Sequence, residues 1–408
     1  MASQIIAEIS RSDLTDLLAA NGRIAGIHQL ASYNWLEKAV PTILVPGSPP
    51  LWSPPSVLRK LAPDSGVVYI DQNAARNPRF PLEPLFRALY VDNPDFQVRD
   101  IDLVTDRNNI RKLLRFVQGS SSDAFQIRVE LAGNRTALFT RVEAKTTDLI
   151  QGFRGYGRNF EKAYTKTERG TSAHHRIVSY EFGGMSCIVR HETDGYVEDK
   201  SPTELADSLS DALKGLSMSK PDNVGSYPAA TIVEAGGRAV DLSSTLEIKT
   251  RAASRHLDMG EVLSQLWISQ TRNLVVGYHQ NGVFDNVQLR DMTNETRQWE
   301  MTNQKDLCKL ACLLEKIIGV VKRSGVRDAV VNYGGGTRLQ MLAGDGKQAL
   351  PDDLYVKWDM DTAQTGRGDV AKLSKDDESE ATSGRQRHEE DTTLLLIPDG
   401  TPFSDYIE

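Results

Sequence analysis

The sequence predicts an α/β (α+β) fold, in which a mixed central sheet is flanked by helices. One stretch, 245–289, has the pattern strand, helix, strand, tight turn and strand, and its Asn281-Gly282 pair is typical of a two-residue hairpin turn. Two further stretches, 125–145 and 176–191, alternate around glycine-containing turns as hairpins do. Strands and hairpins interspersed with helices along one chain favour a mixed sheet.

The first strand of that stretch, 246–250, carries Glu247 and Lys249. Because these two residues are two positions apart on a strand, their side chains leave the same face. A helix predicted over 257–271 follows and buries an apolar stripe. A Glu-x-Lys pair backed by a helix is one arrangement with which nucleic-acid-cleaving folds hold a metal, a water and a phosphate, although solvated strands also carry such pairs.

The other elements are predicted from periodicity and end signals. The predicted helices cover 13–20, 27–38, 82–90, 105–117 and 305–322, and a strand is predicted over 67–71. The helix over 105–117 places three arginines on one face, at Arg107, Arg111 and Arg115. Residues 43–55 are rich in proline and are expected to form an ordered irregular loop.

The composition is that of a soluble globular protein, with 39% hydrophobic and 25% charged residues among 408. A net charge of −7 excludes nucleic-acid binding through bulk charge, so an RNA partner would need a local basic patch. Three unclustered cysteines argue against a disulfide framework and favour a reducing compartment. Neither a signal peptide nor a membrane span is recognisable, so the expected location is cytoplasmic, without membrane contact.

The predicted organisation has three parts. Residues 1–66 are expected to form a helical and Pro-rich segment packed on the core. Residues 67–358 are expected to form a single catalytic α/β domain with an insertion at about 201–237, where Ser, Asp, Lys and Pro are frequent. Residues 359–408 are expected to be a mostly disordered acidic tail, because they contain few large apolar groups.

Four carboxylates follow one another along the chain: Glu161, Glu192, Asp194 and Glu247. If they meet in the fold they repel one another and need a cation to stay ionised. Two divalent ions that clamp a phosphodiester are one solution. The alternative is that these are separate solvated side chains on different edges of the fold.

Several of these residues, in this order, resemble the signature of the DXO-type decapping exonucleases. The matching positions are Arg107, Gly157-x-x-Phe160-Glu161, Glu192-x-Asp194, Glu247-Ile-Lys249 and, on the following helix, Gln265 with Gln270 as second choice. The resemblance implies a PD-(D/E)XK-like mixed sheet. It also implies that Glu161, Glu192, Asp194 and Glu247 ligate Mg²⁺ or Mn²⁺ and that Arg107 contacts phosphate. Arg158 stands where that family has an apolar residue, and the chain between Asp194 and Glu247 is longer than expected.

The N-terminal part resembles a second family, the fungal arginine-containing cyclodipeptide synthases, over 32–55, 67–90 and 102–117. That resemblance implies synthesis of cyclo-Arg-Xaa in secondary metabolism from arginyl-tRNA and one other aminoacyl-tRNA. It implies no cofactor and no stable protein partner. A basic patch interleaved with aromatic residues could then bind RNA. Its predicted members are Arg107, Arg111, Lys112, Arg115, Arg128, Arg141, Arg154, Arg158, Lys162, Phe116, Phe139, Phe153, Tyr156 and Phe160.

The sequence therefore leads to a preferred and an alternative function. The preferred function is the aminoacyl-tRNA-dependent synthase, in which the acidic cluster binds the arginine guanidinium. The alternative is a metal-dependent RNA 5′-end decapping nuclease, and a catalytically silent RNA-binding protein is a third possibility. Under the preferred function the catalytic residues are Glu192, Asp194, Glu247, Lys249 and Gln265, and the substrate- or RNA-binding residues are Arg107, Arg111, Arg158 and Glu161.

Overall fold

The computed structural model describes residues 4–14, 21–121, 123–152, 155–198 and 231–359. The strands are β1 (Ile5–Ser10), β2 (Ile24–Leu36), β3 (Thr42–Val45), β4 (Leu51–Trp52), β5 (Gly66–Tyr69), β6 (Leu103–Asp106), β7 (Phe125–Ala132), β8 (Thr136–Val142), β9 (Thr147–Ile150), β10 (Thr165–Lys166), β11 (Thr171–Phe182), β12 (Met185–Glu192), β13 (Gly195–Tyr196), β14 (Ile232–Ala235), β15 (Thr245–Ala252), β16 (Asn273–Gln280), β17 (Val283–Asp291), β18 (Asp328–Tyr333) and β19 (Arg338–Ala343). The helices are α1 (Gln72–Arg76), α2 (Glu83–Asp92), α3 (Arg107–Gln118), α4 (Gly157–Tyr164), α5 (Met259–Ser269), α6 (Thr293–Thr302), α7 (Gln304–Ser324) and α8 (Asp352–Asp359).

Most strands of the described residues belong to two sheets. The larger has the order β1-β19-β18-β7-β8-β6-β12-β11-β2-β3-β14, and the smaller has the order β10-β4-β13-β15-β16-β17. In the larger sheet β6 is parallel to β8 and β12, whereas β12 and β11 form an antiparallel hairpin. The predicted mixed α/β architecture is therefore confirmed.

The stretch 245–289 folds as its pattern predicts. β15 and β16 pair in parallel and are joined by α5, and β17 returns antiparallel to β16. Asn281 and Gly282 both have positive φ, at 51° and 84°, as a two-residue hairpin turn of this kind requires. Asp258 starts α5 by accepting hydrogen bonds from the N–H groups of Gly260 and Glu261.

Apolar packing holds helices on both faces of the larger sheet. On one face α3 and α7 bury a cluster that includes Leu113, Leu314 and Ile317. On the other, α2 and α8 pack on a second cluster that includes Leu85 and Trp358. A third cluster fixes α4 on the smaller sheet. The larger sheet is therefore covered by helices on both faces.

The N-terminal segment is built differently from the prediction. Residues 24–36 form β2, not a helix, and pair with β11 and β3 inside the larger sheet. The last six residues of β2, 31–36, are all buried, because helices and neighbouring strands cover both faces. A strand buried on both sides loses the alternation that would have marked it in the sequence. Residues 11–14 form a 3₁₀ turn, and 15–20 lie outside the described residues.

The predicted insertion and tail fall largely outside the description. Residues 199–230 and 360–408 are not described. The end of the predicted insertion is regular structure, since β14 pairs in parallel with β3 at the edge of the larger sheet. The division into 1–66, 67–358 and 359–408 stays a prediction.

Gly277 on β16 allows α4 to approach the smaller sheet closely. A Cβ at this position would lie 2.8 Å from Cζ of Phe160 and 3.0 Å from Cδ1 of Phe284. Gly277→Ala is therefore expected to lower the free energy of unfolding by about 1–3 kcal/mol, because the buried rings have to move. Gly334→Ala is the control, since a Cβ there meets nothing within 4 Å. Equal urea-unfolding curves for the two variants would contradict this packing.

Candidate active site

Two of the predicted acidic residues lie where the chain passes from one sheet to the other. β12 ends at Glu192 in the larger sheet, and β13 begins at Gly195 in the smaller one. Glu192 and Asp194 therefore flank the crossover. The Ile248 N–H donates to Oδ2 of Asp194 over 2.7 Å, which ties the crossover to β15.

Glu247 lies on β15 beside this crossover and is 3% exposed. Nη1 of Arg107 donates to its Oε2 over 2.9 Å, and Nζ of Lys249 donates to its Oε1 over 2.8 Å. Burial would raise the pKa of Glu247, but the two cations outweigh it and hold that pKa well below the usual range. Glu247 is therefore ionised across the physiological pH range.

Glu161 comes from α4, whose position is fixed by a distant aspartate. Asp64 is buried and accepts the N–H groups of Arg158 (3.1 Å) and Asn159 (2.9 Å) in the first turn of α4. This supplies the cap that Tyr156, the residue before the helix, does not provide. The second turn of α4 then brings Glu161 to the cleft that Glu192 and Asp194 also line.

Burial, together with the charges of neighbouring carboxylates, raises the pKa values of the other three carboxylates. Burial, then the charge of Glu192, raises the pKa of Glu161 to about 7, although Arg158 opposes this. Burial, then the charges of Glu247 and Glu161, raises the pKa of Asp194 well above its usual range. The Glu192 side chain is exposed to solvent in the cleft. The surrounding residues nevertheless desolvate its carboxylate in part, and this raises its pKa. Three of the four carboxylates line one cleft, and the fourth, Glu247, bonds to Arg107 of the same cleft, so the hypothesis of separate solvated side chains is wrong for them.

Glu161 gives a pH prediction with a defined sign. Its folded pKa of about 7 exceeds the ordinary value of 4.5, so between these values the folded chain binds more protons than the unfolded chain. This contribution to stability is present at low pH and is lost as pH rises through about 7. Glu161→Gln is expected to flatten the fall of Tm with pH in that window, whereas Glu315→Gln, at an exposed position on α7, is expected to leave it unchanged. Wild type and Glu161→Gln with parallel Tm–pH curves would contradict the burial of this carboxyl.

The cleft itself has a volume of about 560 Å³. Its walls bring together most of the predicted site residues: Arg107, Arg111, Arg158, Glu161, Glu192 and Asp194. Glu247 and Lys249 are not among the lining residues; Glu247 bonds to Arg107 of the cleft, and Lys249 bonds to Glu247. A second cavity of about 480 Å³ adjoins the cleft, since Asn108 and Arg111 line both.

The predicted site residue Gln265 makes no described contact with the carboxylates, Arg107 or Lys249. It is 4% exposed on α5, and its Oε1 has no hydrogen-bond partner among the described residues. Gln270, the second choice, ends α5 in the left-handed conformation and bonds locally to the Trp267 carbonyl. A catalytic role for Gln265 stays a prediction.

The predicted basic and aromatic patch is not one surface. Phe116, Phe139 and Phe160 are fully buried in apolar clusters. Arg111 and Arg115 pair with Glu261 on α5, and Arg128 pairs with Asp328 and Asp345. Residues 153 and 154 lie outside the described part of the chain. The arginine face of α3 is thus used largely to hold α3 against β15 and α5, because its charges have partners within the chain.

Sequence reasoning missed the ion pair that positions Arg107. Arg190 on β12 donates to both carboxylate oxygens of Asp106, over 2.6 and 3.0 Å, and Arg190 is 1% exposed. Asp106 is the residue before α3, and its carboxylate binds Arg190 instead of capping the helix. The pair therefore fixes both the start of α3 and the strand that ends at Glu192. No local motif signals it, because the two residues lie 84 positions apart.

With the geometry established, the chain can be compared with known proteins. The sequence matches, over residues 9–358, the family described as "Domain of unknown function (DUF8563)". The chain belongs to this family. No curated protein matches the sequence.

Solved structures of the Rai1 and Dxo1 proteins share the fold. Rai1 of S. pombe is 14% identical, with a TM-score of 0.54, and the match covers 82% of this chain and 98% of that one. Rai1 of Scheffersomyces stipitis, in complex with (3'-NADP)+ and calcium ion, is 10% identical, with a TM-score of 0.55 and coverage of 88% and 98%. Rai1 of Candida albicans, in complex with pU5-Mn2+, is 10% identical, with a TM-score of 0.50 and coverage of 86% and 99%. The DXO-like fold predicted from the sequence is confirmed.

The same comparisons correct the preferred function. The assignment to cyclodipeptide synthesis and secondary metabolism is wrong: the solved structures that share the fold are those of Rai1 and Dxo1, and the match to a domain of unknown function supplies no support for it. The predicted partners, arginyl-tRNA and a second aminoacyl-tRNA, are therefore unsupported as well. Within the described residues, no helix has the length and apolar character needed to cross a membrane.

The donor set of the cleft suits a divalent cation. Hard cations such as Mg²⁺ and Mn²⁺ prefer carboxylate oxygens, and burial, followed by the charges of neighbouring carboxylates, raises the pKa values of Glu161 and Asp194. Among the described residues, no three histidine, cysteine or carboxylate side chains are yet grouped closely enough to hold a metal. The reason is visible at Glu247, whose oxygens bind Arg107 and Lys249. The carboxylates are the right kind of ligand for such a cation. To bind it together, their side chains would have to move closer to one another.

Proposed function

We propose that this protein is a divalent-metal-dependent phosphodiesterase that acts at the 5′ end of RNA. The observation that carries the proposal is a cleft lined by Glu161, Glu192, Asp194 and Arg107, in which Arg107 also bonds to a fourth carboxylate, Glu247, that Lys249 contacts. This set combines cation ligands with cations able to bind phosphate. The shared fold supports the proposal, since the Candida albicans Rai1 structure holds the RNA pU5 with Mn²⁺.

Each residue type has a role in this proposal. Glu161, Glu192, Asp194 and Glu247 would hold the cation, which supplies Lewis-acid stabilisation of the phosphate oxygens and activation of water. Arg107 would bind the phosphate beside them. Lys249 keeps Glu247 ionised and would orient the attacking water or the scissile phosphate. Arg158 lines the same cleft and forms no ion pair within the described ranges, so its guanidinium is available to a substrate phosphate.

In the proposed hydrolysis of the phosphodiester bond, water is the nucleophile. The water oxygen forms a bond to phosphorus and loses a proton, and the bond from phosphorus to the leaving oxygen breaks. The leaving oxygen gains a proton and departs as a hydroxyl group. Arg107 and Arg158, whose guanidinium groups line the cleft, would stabilise the negative charge that develops on the phosphate.

The proposal is tested with RNA labelled at its 3′ end and carrying a 5′ monophosphate, a 5′ triphosphate or a 5′ cap. With Mn²⁺ or Mg²⁺ the purified protein is expected to shorten or decap at least one of these RNAs, and excess EDTA is expected to stop the reaction. A circular RNA of the same sequence is the control, since it has no 5′ end. Intact RNA in every metal-containing reaction would contradict the proposal.

A further inference from the structure

The two strands β5 and β9 form a two-stranded ribbon at the edge of the cleft, and one face of this ribbon is apolar and exposed. β5 and β9 pair antiparallel, with Val67 opposite Leu149 and Tyr69 opposite Thr147. Val67, Leu149 and Tyr69 are 70%, 54% and 39% exposed, whereas Val68 and Ile150 face inward. The ribbon therefore already buries one apolar face and presents a second one to solvent. Contiguous exposed apolar groups of this kind mark interaction surfaces.

The ribbon is continuous with the candidate active site. Val67, Tyr69 and Ile70 line the same cleft as Glu161 and Glu192. A polymer whose end lies against the carboxylates would have to leave the cleft past one of its walls. The exposed face of β5 and β9 is one of those walls, so an emerging strand can lie on it.

The charges around the ribbon identify the kind of polymer. The guanidinium of Arg76 lies over the Tyr69 ring, 5.4 Å from its centre, and is already paired with Glu37 at 2.6 Å. Arg158 and Lys162 line the same cleft, and neither forms an ion pair within the described ranges. Apolar and aromatic groups beside available cations match the bases and phosphates of a single-stranded nucleic acid. An apolar peptide would use the ribbon but not these cations.

We propose that the exposed face of the β5–β9 ribbon is a base-stacking surface that holds single-stranded RNA as it leaves the cleft. The inference rests on the proposed function for its substrate class. Tyr69 stacks on a base, Val67 and Leu149 extend the apolar surface under neighbouring bases, and the cleft cations contact the phosphates. A duplex cannot use this surface, because its bases are already stacked and paired.

The test measures binding separately from cleavage. The probe is a fluorescein-labelled oligoadenylate of about ten nucleotides with a 5′ phosphate, since an OB-type site alone spans about 4–16 nucleotides. Its anisotropy is followed in EDTA, so that no RNA is cut. Tyr69→Ala and the double variant Val67→Ser/Leu149→Ser are each expected to weaken Kd by about tenfold. Tyr69→Phe keeps the ring and is expected to bind like wild type.

The controls separate this surface from a general apolar effect. Val356→Ser changes a valine on α8 that is 50% exposed and lies outside both cavities, and it is expected to leave Kd unchanged. Tm values close to wild type verify that the exposed substitutions do not unfold the protein. A duplex RNA of the same length is expected to bind all variants equally weakly.

The outcomes distinguish the ribbon from the proposed reaction. If wild type cleaves RNA but both ribbon variants bind the oligoadenylate with the wild-type Kd, the ribbon inference is overturned and its apolar face belongs to a protein partner. If wild type does not cleave but binds RNA through Tyr69, the proposed reaction fails and the binding surface stands. Absence of any RNA binding by wild type overturns the inference as well.

Discussion

Glu247→Gln is expected to lower the rate of metal-dependent RNA cleavage by about a hundredfold to a thousandfold. The substitution keeps the shape of the side chain but removes the charge that Arg107 and Lys249 stabilise at 2.9 and 2.8 Å. The site then loses the carboxylate that Arg107 and Lys249 keep ionised. The measurement is kcat on the RNA that wild type cleaves best, at saturating Mn²⁺.

The matched control for this substitution is Glu261→Gln. Glu261 is also partly buried and also pairs with two arginines, Arg111 and Arg115, but it lies on α5 in the adjoining cavity. Its loss is expected to change kcat only a few-fold, because it removes no carboxylate from the cleft. If both variants lost kcat equally, the loss would follow from breaking any ion pair around α3. That result would contradict the assignment of Glu247 as a metal ligand.

Arg190→Met is expected to lower the free energy of unfolding by about 3–5 kcal/mol. The cause is that Asp106 keeps a charge in a site with little solvent after its bidentate partner is removed. Arg272→Met is the control, because Arg272 pairs with Asp291 at the same 2.6 Å as the Arg190–Asp106 pair, while both control side chains are about half exposed. An exposed pair contributes about 0–1 kcal/mol.

Urea unfolding of the two variants measures this difference. If Arg190→Met unfolds at the same urea concentration as Arg272→Met, the buried pair does not anchor α3. A stable Arg190→Met variant that has lost RNA cleavage would instead assign the pair chiefly to positioning Arg107 and Glu192. Both comparisons use the full chain.

The sequence was most informative where local rules act alone. The parallel unit of β15, α5 and β16, with its Asn281-Gly282 hairpin, follows from strand alternation, a capping aspartate and turn chemistry within 47 residues (245–291). The helix that begins at Arg107 was likewise predicted from its apolar stripe. Each of these signals lies inside the element that it predicts.

The sequence was least informative where the sheet covers both faces of a strand. β2 runs from Ile24 to Leu36 and was predicted partly as a helix, because its buried half shows no alternation between apolar and polar residues. Its pairing with β11 joins positions more than 100 residues apart, such as Phe182 and Ile24. Tertiary context of this kind overrides local periodicity.

The candidate site was predictable in its residues but not in its construction. The order of Glu161, Glu192, Asp194 and Glu247 was evident, yet their meeting depends on the crossover between two sheets at Glu192–Asp194. Asp64 and Arg190 position the site from distant strands and loops, and no motif marks either residue. The exposed ribbon at Val67 and Tyr69 was also invisible, since exposure is a property of the folded chain.

The most direct test of the central claim is a calorimetric titration of Mn²⁺ into wild type and into the double variant Glu192→Gln/Asp194→Asn. The four carboxylates are the proposed ligands, so wild type is expected to bind Mn²⁺ more tightly as pH rises through about 7, where Glu161 ionises. The double variant is expected to lose this binding while it keeps its fold. Equal Mn²⁺ affinity in both proteins would contradict the claim that this cleft is a metal-dependent active site.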